Sequence, residues 1–253
     1  MNYKEQEIII NKLTNTVLPL YNKEFPIVFF WSPKGGCTSL VKWYFFQNKL
    51  LQKALDYHPW VHEYRARVYQ KQENYKEEVK ANLLNNNKDI YKLVRDPYKR
   101  AVSSFLASVI YEPIRRQIVS EKDTSLSFKQ FLYRVKNIGV ESSLIDTHIA
   151  QQYVEKEETF IKNYIKLEEF TEKIRKIESK YNLSHSPIES IISSHHNMRQ
   201  QMGEGNTLHF SEVEVHLGSI PQNLPQYDNF YDQEAKDLVK ELFKNDLEKY
   251  SYI

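Results

Sequence analysis

Three short apolar runs punctuate an otherwise mixed chain: PIVFFW at 26–31, DIYKLV at 89–94 and FIKNYIKL at 160–167. Each has strand length, is rich in β-branched and aromatic residues, and precedes a helical pattern. Strands alternating with helices predict a parallel sheet with helices on its faces. From Ser39 onward the chain is apolar on most sides (Leu40, Val41, Trp43, Tyr44, Phe45, Phe46), which predicts a buried helix. Ala235, Leu238, Val239, Leu242 and Phe243 recur at i, i+3, i+4, i+7 and i+8, the face of an amphipathic helix. Asp96 before Pro97 reads as a capped helix start, with Tyr98, Ala101, Val102, Phe105, Leu106 and Val109 on its core face. Residues 71–89 are polar and predict a solvated helix plus loop. Residues 193–229 lack periodicity and predict a long loop region.

With no internal repeat and no Pro/Gly/Ser linker, the expectation is one domain over residues 1–253. Its class is α/β, three layers in the order α/β/α, with a central parallel sheet. The length of 253 residues suffices for a sizeable core, and 41% hydrophobic with 13% aromatic residues fits a folded globule. A formal net charge of only +2 argues against a bulk nucleic-acid binder. The single cysteine rules out an internal disulfide framework and suits a reducing compartment. No apolar run approaches the ~18 residues of a membrane span. The N-terminal MNYKEQEIIINKLTNTVL has charges on both sides of a three-residue apolar patch, unlike a signal peptide. Together these predict a cytoplasmic protein without a membrane span.

Candidate chemistry starts at FFWSPKGGCTSLVKWYF, residues 29–45. A strand entering a turn and then a helix gathers free backbone N–H groups at the positive end of the helix dipole. Glycines let the backbone approach a ligand, Lys34 adds a charge, and Thr38 and Ser39 add hydroxyls. This is the makeup of an oxyanion cradle; the alternative is a glycine turn capped by Thr38, with Lys34 in solvent. The triphosphate loop G-x-x-x-x-G-K-[ST] places lysine after its last glycine, whereas Lys34 precedes Gly35 and Gly36. A magnesium-dependent kinase is therefore disfavoured but stays open. No metal site is expected: His195 and His196 are adjacent in SHHNM, and adjacent histidines rarely ligate one ion alone.

A second candidate is DIYKLVRDPYKRAVSSFL at 89–106. Arg95 ends the strand, and Arg100 and Ser103 lie three apart on the following helix. Two arginines converging with a hydroxyl suit a phosphate. A local Arg95–Asp96 ion pair is the alternative.

SPKGGCTSL, followed about sixty residues later by LVRDPYKRAVSSF, resembles the two cofactor motifs of sulfotransferases that use 3′-phosphoadenosine 5′-phosphosulfate (PAPS). The CTS variant is most similar to the Golgi carbohydrate sulfotransferases. The C-terminal DNFYDQEAKDLVKELFKNDLEKYSY is similar to that family's closing helix, so the resemblance spans roughly residues 26–252. It implies a P-loop-like turn in which Pro33, Lys34, Gly35, Gly36, Cys37, Thr38 and Ser39 hold the 5′-phosphosulfate. Lys34 would also act in catalysis by neutralising the bridging oxygen. Arg95, with Ser103 eight residues later, would hold the 3′-phosphate. SSHHNMRQQ at 193–201 resembles the late segment covering the nucleotide, where Arg199 would add a contact. The resemblance further implies PAPS as donor and PAP as product, no metal, and an acceptor hydroxyl on a carbohydrate or glycoconjugate. The membrane anchor and luminal disulfides of the animal members are missing, which suggests a soluble bacterial-type relative and leaves substrate identity untransferred. A small-molecule kinase and a catalytically inactive nucleotide-binding module are the alternatives.

A base must take the acceptor proton, and histidine suits neutral pH. DYHPWVHEYRARVY at 56–69 holds His58 and His62 among Trp60, Tyr64, Arg65 and Arg67, in the interval where related sulfotransferases carry their base. His62, followed by Glu63, is the first candidate. His148 in IDTHIAQQYV is the second; its segment is similar to an H-W-x-P-Q stretch of the carbohydrate enzymes but lacks the Trp and Pro. For either histidine, a packed or surface role is the alternative.

Overall fold

The computed structural model describes residues 2–192, 210–219 and 224–252. The chain divides into two compact units, Met1–Val94 with Val154–His195 and Arg95–Tyr153 with His196–Ile253. Elements are numbered along the whole chain.

The first unit is built on a parallel sheet of β1 (Ile27–Trp31), β2 (Asp89–Val94) and β4 (Asn163–Lys166), in the order β1-β2-β4. Phe29 lies opposite Tyr91, and Leu93 lies opposite Trp31 on one side and Ile165 on the other. Every residue of β1 is buried, as a parallel strand covered on both faces requires. The third strand is shorter than its apolar run suggested: Phe160 and Ile161 are buried ahead of it in a turn. Lys92 is the exception in the apolar β2. It is 3% exposed, and its Nζ lies 2.6 Å from Oε2 of Glu157, which is fully buried. The same oxygen accepts the Val154 N–H at 2.9 Å.

Helices α1 (Tyr3–Thr16), α2 (Cys37–Gln47), α3 (Leu51–Tyr57), α4 (Val61–Arg67), α5 (Tyr75–Asn85), α9 (Phe170–Lys180) and α10 (Ile188–Ile192) flank this sheet. The class is thus mixed α/β with a central parallel sheet, as expected. Helix α2 buries Leu40, Val41, Trp43, Tyr44 and Phe45, and the Trp43 indole donates to Glu178 at 2.8 Å. Helix α5 departs from the solvated helix expected there. Tyr75, Val79, Asn82 and Leu83 form a buried stripe at i, i+4, i+7 and i+8, which the lysines, glutamates and asparagines between them hide from a composition reading.

The second unit contains α6 (Pro97–Ile110), α7 (Glu112–Arg115), α8 (Phe128–Ile138), α11 (Gln233–Leu242) and α12 (Lys244–Lys249). Two-residue strands β3 (Ser125–Leu126) and β5 (Val215–His216) pair antiparallel. Helix α6 starts as expected, with the Asp96 carboxylate accepting the Lys99 N–H at 3.0 Å and Pro97 in the first turn. The unit has its own aromatic core, in which Phe105 meets Phe128 edge-on at 5.5 Å and Phe131 at 5.8 Å. Helix α11 contributes Ala235, Leu238 and Val239 to this core, and Phe243 follows directly. Within the expected loop region, β5 and short turns at Phe210–Glu212 and Tyr227–Phe230 are ordered elements. His195, His196 and Arg199 lie outside the described residues. Among the described residues, no helix is long and apolar enough to cross a membrane.

Candidate active site

In the first unit, β1 runs into a tight turn. The Gly35 N–H donates to the Ser32 carbonyl at 3.0 Å. With Pro33 second and a positive φ third, the turn has the pattern of type II, which favours glycine or asparagine at the position Lys34 fills. Lys34 has φ 65°, a left-handed conformation that costs a lysine about 1–2 kcal/mol. Backbone strain of this kind concentrates at functional sites. Gly36, at φ 89°, is the N-cap of α2 and supplies no side chain to cap it. A Cβ there would stand 2.3 Å from Leu167 Cδ1. The uncapped helix start, the Lys34 charge and the half-buried Thr38 and Ser39 leave this turn rich in donors and without an acidic side chain between Ser32 and Ser39. The protein around Cys37 pushes its thiol above the ordinary value, against the opposing pull of Lys34 and Arg65. Cys37 is therefore a neutral thiol at pH 7.

Behind this turn runs a chain of side-chain hydrogen bonds. Thr38 Oγ1 lies 3.1 Å from His62 Nε2. Arg65 Nε donates to His62 Nδ1 at 3.1 Å, and its Nη1 donates to Gln70 Oε1 at 2.7 Å. The Gln70 amide donates in turn to the Leu18 and Pro19 carbonyls, at 2.8 and 3.2 Å. The Arg65 guanidinium also lies 5.2 Å from the ring centre of Trp31, the last residue of β1. His62 is only 6% exposed. Its ring is met edge-on by Trp60 at 5.2 Å, while Trp60 and Tyr57 are themselves exposed. His58 Nδ1 accepts the Trp60 N–H at 2.9 Å and fixes the HPW turn.

In the second unit Arg95 and Ser103, both expected at the 3′-phosphate, are hydrogen-bonded to each other, Nη1 donating to Oγ at 2.8 Å. Nη2 donates to the Tyr227 hydroxyl at 2.8 Å, and the guanidinium lies 5.4 Å from that ring's centre. Ser103 itself is buried. Gln152 grips the Arg95 backbone, and Asp246 of α12 accepts the N–H groups of Gln152 and Tyr153 at 2.9 and 2.7 Å.

Arg100 does not join the phosphate cluster drawn from the sequence. It is 2% exposed and donates to the Ala150 and Thr147 carbonyls, at 2.7 and 3.2 Å. Burial draws its guanidinium down to about 10, with the Asp246 carboxylate pulling the other way, so it stays charged at pH 7. Its neighbour Ser104 donates to the His148 carbonyl at 2.6 Å. One helix thus holds Ser103 against Arg95 and fixes the loop that carries His148. In that loop the Asp146 carboxylate lies 2.8 Å from His148 Nδ1 and also accepts the His148 N–H. Burial raises the Asp146 carboxyl, but the His148 hydrogen bonds outweigh it and leave it below the usual range. The His148 side chain is 41% exposed.

Sequence reading assigned no contacts to Arg65, Gln70, Asp146, Gln152 and Tyr227. Asp146 was detectable two residues before His148, and Arg65 three residues after His62 on the same helix. Gln152 falls at the final Gln of the H-W-x-P-Q pattern, four residues after His148, whereas nothing local announces Tyr227; they reach Arg95 across 57 and 132 residues. Among the described residues, no group of three His, Cys, Asp or Glu side chains is placed to hold a metal.

Comparison with protein-family models matches residues 20–253 to the one described as the sulfotransferase family. Comparison with curated proteins and with solved structures returns no match.

Proposed function

The chain belongs to the sulfotransferase family, and on that premise we propose that it moves a sulfuryl group from PAPS to a carbohydrate hydroxyl, releasing PAP. The observation that carries this reading is Lys34, held at φ 65° before the uncapped start of α2. A lysine in that conformation, beside glycines and two hydroxyls, suits an anion whose charge grows during reaction.

The bound donor supplies the sulfuryl group, and the chain supplies placement and charge. Lys34, the backbone of Gly35 to Ser39 and the Thr38 hydroxyl hold the 5′ end. Arg95 and Ser103, with Tyr227 alongside, take the 3′-phosphate, and Arg199 is a further candidate contact. Lys34 balances the charge that develops on the departing phosphate oxygen.

For the base, the hydrogen bonding favours His148. Asp146 accepts from Nδ1, which leaves the Nε2 lone pair to take the acceptor's proton, the base-plus-orienter arrangement. His62 shows the reverse pattern, because its Nδ1 already accepts from Arg65. A carbohydrate acceptor is in keeping with the exposed Trp60, whose ring meets His62 at 5.2 Å. An exposed aromatic ring in a polar setting suits the apolar face of a sugar ring.

Calorimetry with PAP and, separately, with ATP and magnesium tests the reading. Tight binding of PAP alone is expected. Preference for ATP with magnesium would turn the assignment to a kinase. PAP binding without transfer to any hydroxyl in a mass-spectrometric acceptor screen would make the chain an inactive nucleotide-binding module.

A further inference from the structure

We propose that His62 is a fixed hydrogen-bond donor that aims the Thr38 hydroxyl at the bound anion, and that Arg65 is the positioning residue that fixes its tautomer. The inference rests on reading Lys34 to Ser39 as the anion cradle. Arg65 Nε carries a hydrogen at all accessible pH and donates it to His62 Nδ1 at 3.1 Å. Nδ1 must therefore present its lone pair, and in a neutral imidazole the hydrogen then sits on Nε2. Nε2 faces Thr38 Oγ1 at 3.1 Å, so the imidazole donates and the hydroxyl oxygen accepts. A hydroxyl has one proton, and with its oxygen engaged by His62 that proton is turned elsewhere. Thr38 stands in the first turn of α2, where a bound anion accepts it.

The frame around this relay is rigid. Arg65 stacks on Trp31 at the end of β1 and is tied through Gln70 to the backbone at Leu18 and Pro19. Trp60 meets the His62 ring edge-on at 5.2 Å. Using His62 as a base through Nε2 would require its proton on Nδ1, which would set two N–H donors face to face. The donor role needs no rearrangement.

The tautomer can be read without any ligand. Long-range proton–nitrogen NMR of the whole chain should show His62 protonated on Nε2 and bare on Nδ1. Arg65→Met should remove that preference. A proton on Nδ1 in the wild type overturns the proposal. The second measurement compares His62→Gln with His62→Ala in PAP binding and in turnover. Glutamine keeps an N–H at similar reach but cannot take a proton. PAP affinity within about threefold of wild type is expected for His62→Gln, against a loss of about ten- to a hundredfold for His62→Ala, the range for a hydrogen bond serving a charged group. In a Thr38→Val background the two variants should bind alike. Turnover should follow the same order. If both variants bind PAP normally and both lose turnover, His62 is the base and the proposal falls. Failure of the wild type to bind PAP at all would sink the sulfuryl-transfer reading, and the NMR tautomer would still decide the relay.

Discussion

Gln152 clamps Arg95 from both sides of its backbone: its amide donates to the Arg95 carbonyl at 2.8 Å, and its Oε1 accepts the Arg95 N–H at 2.9 Å. A side chain that satisfies both backbone groups of one residue fixes where that residue's guanidinium starts. Gln152→Ala should strand both groups, at about 1–3 kcal/mol. PAP affinity should fall while affinity for adenosine 5′-phosphate holds. Equal losses for the two nucleotides would detach Gln152 and Arg95 from 3′-phosphate recognition.

Lys34→Ala should lower turnover more than PAP affinity, because its charge matters most once the leaving oxygen is anionic. The loss of one such group costs on the order of a hundredfold or more in rate. Steady-state kinetics beside calorimetry reads the split, and a variant with wild-type turnover would remove Lys34 from catalysis.

At Gly36 the backbone, more than space, forbids a side chain. Leu167 can swing away from a new methyl, but φ 89° remains. Gly36→Ala should cost about 1–2 kcal/mol, a melting shift of about 2–8 °C at this size, and should weaken PAP binding. Unchanged melting and binding would mean that the turn relaxes without consequence.

His148→Ala should cut turnover by about a hundred- to ten-thousandfold, the usual worth of general-base catalysis, with PAP affinity intact. Asp146→Asn should act in the same direction but less, since it disturbs the ring's orientation and not its nitrogen. A His148→Ala variant of full activity would leave the base elsewhere in the chain.

Asp123 offers a stability prediction. Hydrogen bonds from Arg134, at 2.7 and 3.2 Å, and then from the Ser120 N–H hold its carboxyl at about 2. The folded value lies below the ordinary ~4. The stabilisation is therefore fully present above about pH 4 and is lost as pH falls towards 2. Melting curves between pH 5 and 2.5 should fall less steeply for Asp123→Asn, which should also start lower at pH 5. Parallel curves would show the pair to be thermally silent.

Legibility from sequence followed the range of the interactions. Strands β1 and β2 were readable because burial on both faces leaves an unbroken apolar run, and α6 because Asp96 and Pro97 are local signals. The pairing order of the strands was not written in any one segment. Helix α5 was misjudged because three apolar positions suffice to bury a helix whose other residues stay wet. The turn between β1 and α2 and the Arg95–Ser103 spacing were legible as compact motifs. Arg100 was misplaced because its sequence position says only that it shares a helix with Ser103. That its side chain turns inward to two carbonyls depends on the loop at 147–150, which no pattern on α6 records. His62 was singled out in the sequence, but its hydrogen bond to a threonine 24 residues earlier is not written in its own segment.

The buried Lys92–Glu157 pair bears on how this chain can change over generations. Replacing either partner alone strands a charge in the interior, at about 3–5 kcal/mol, whereas replacing both with well-packed apolar residues is often neutral or better. Much of a typical domain's stability margin lies in that first step. The two positions therefore form one inherited unit: a lineage crosses between the ionic and the apolar version by a double change, or by first accumulating stability elsewhere, and intermediates with one partner should be rare among descendants of this chain.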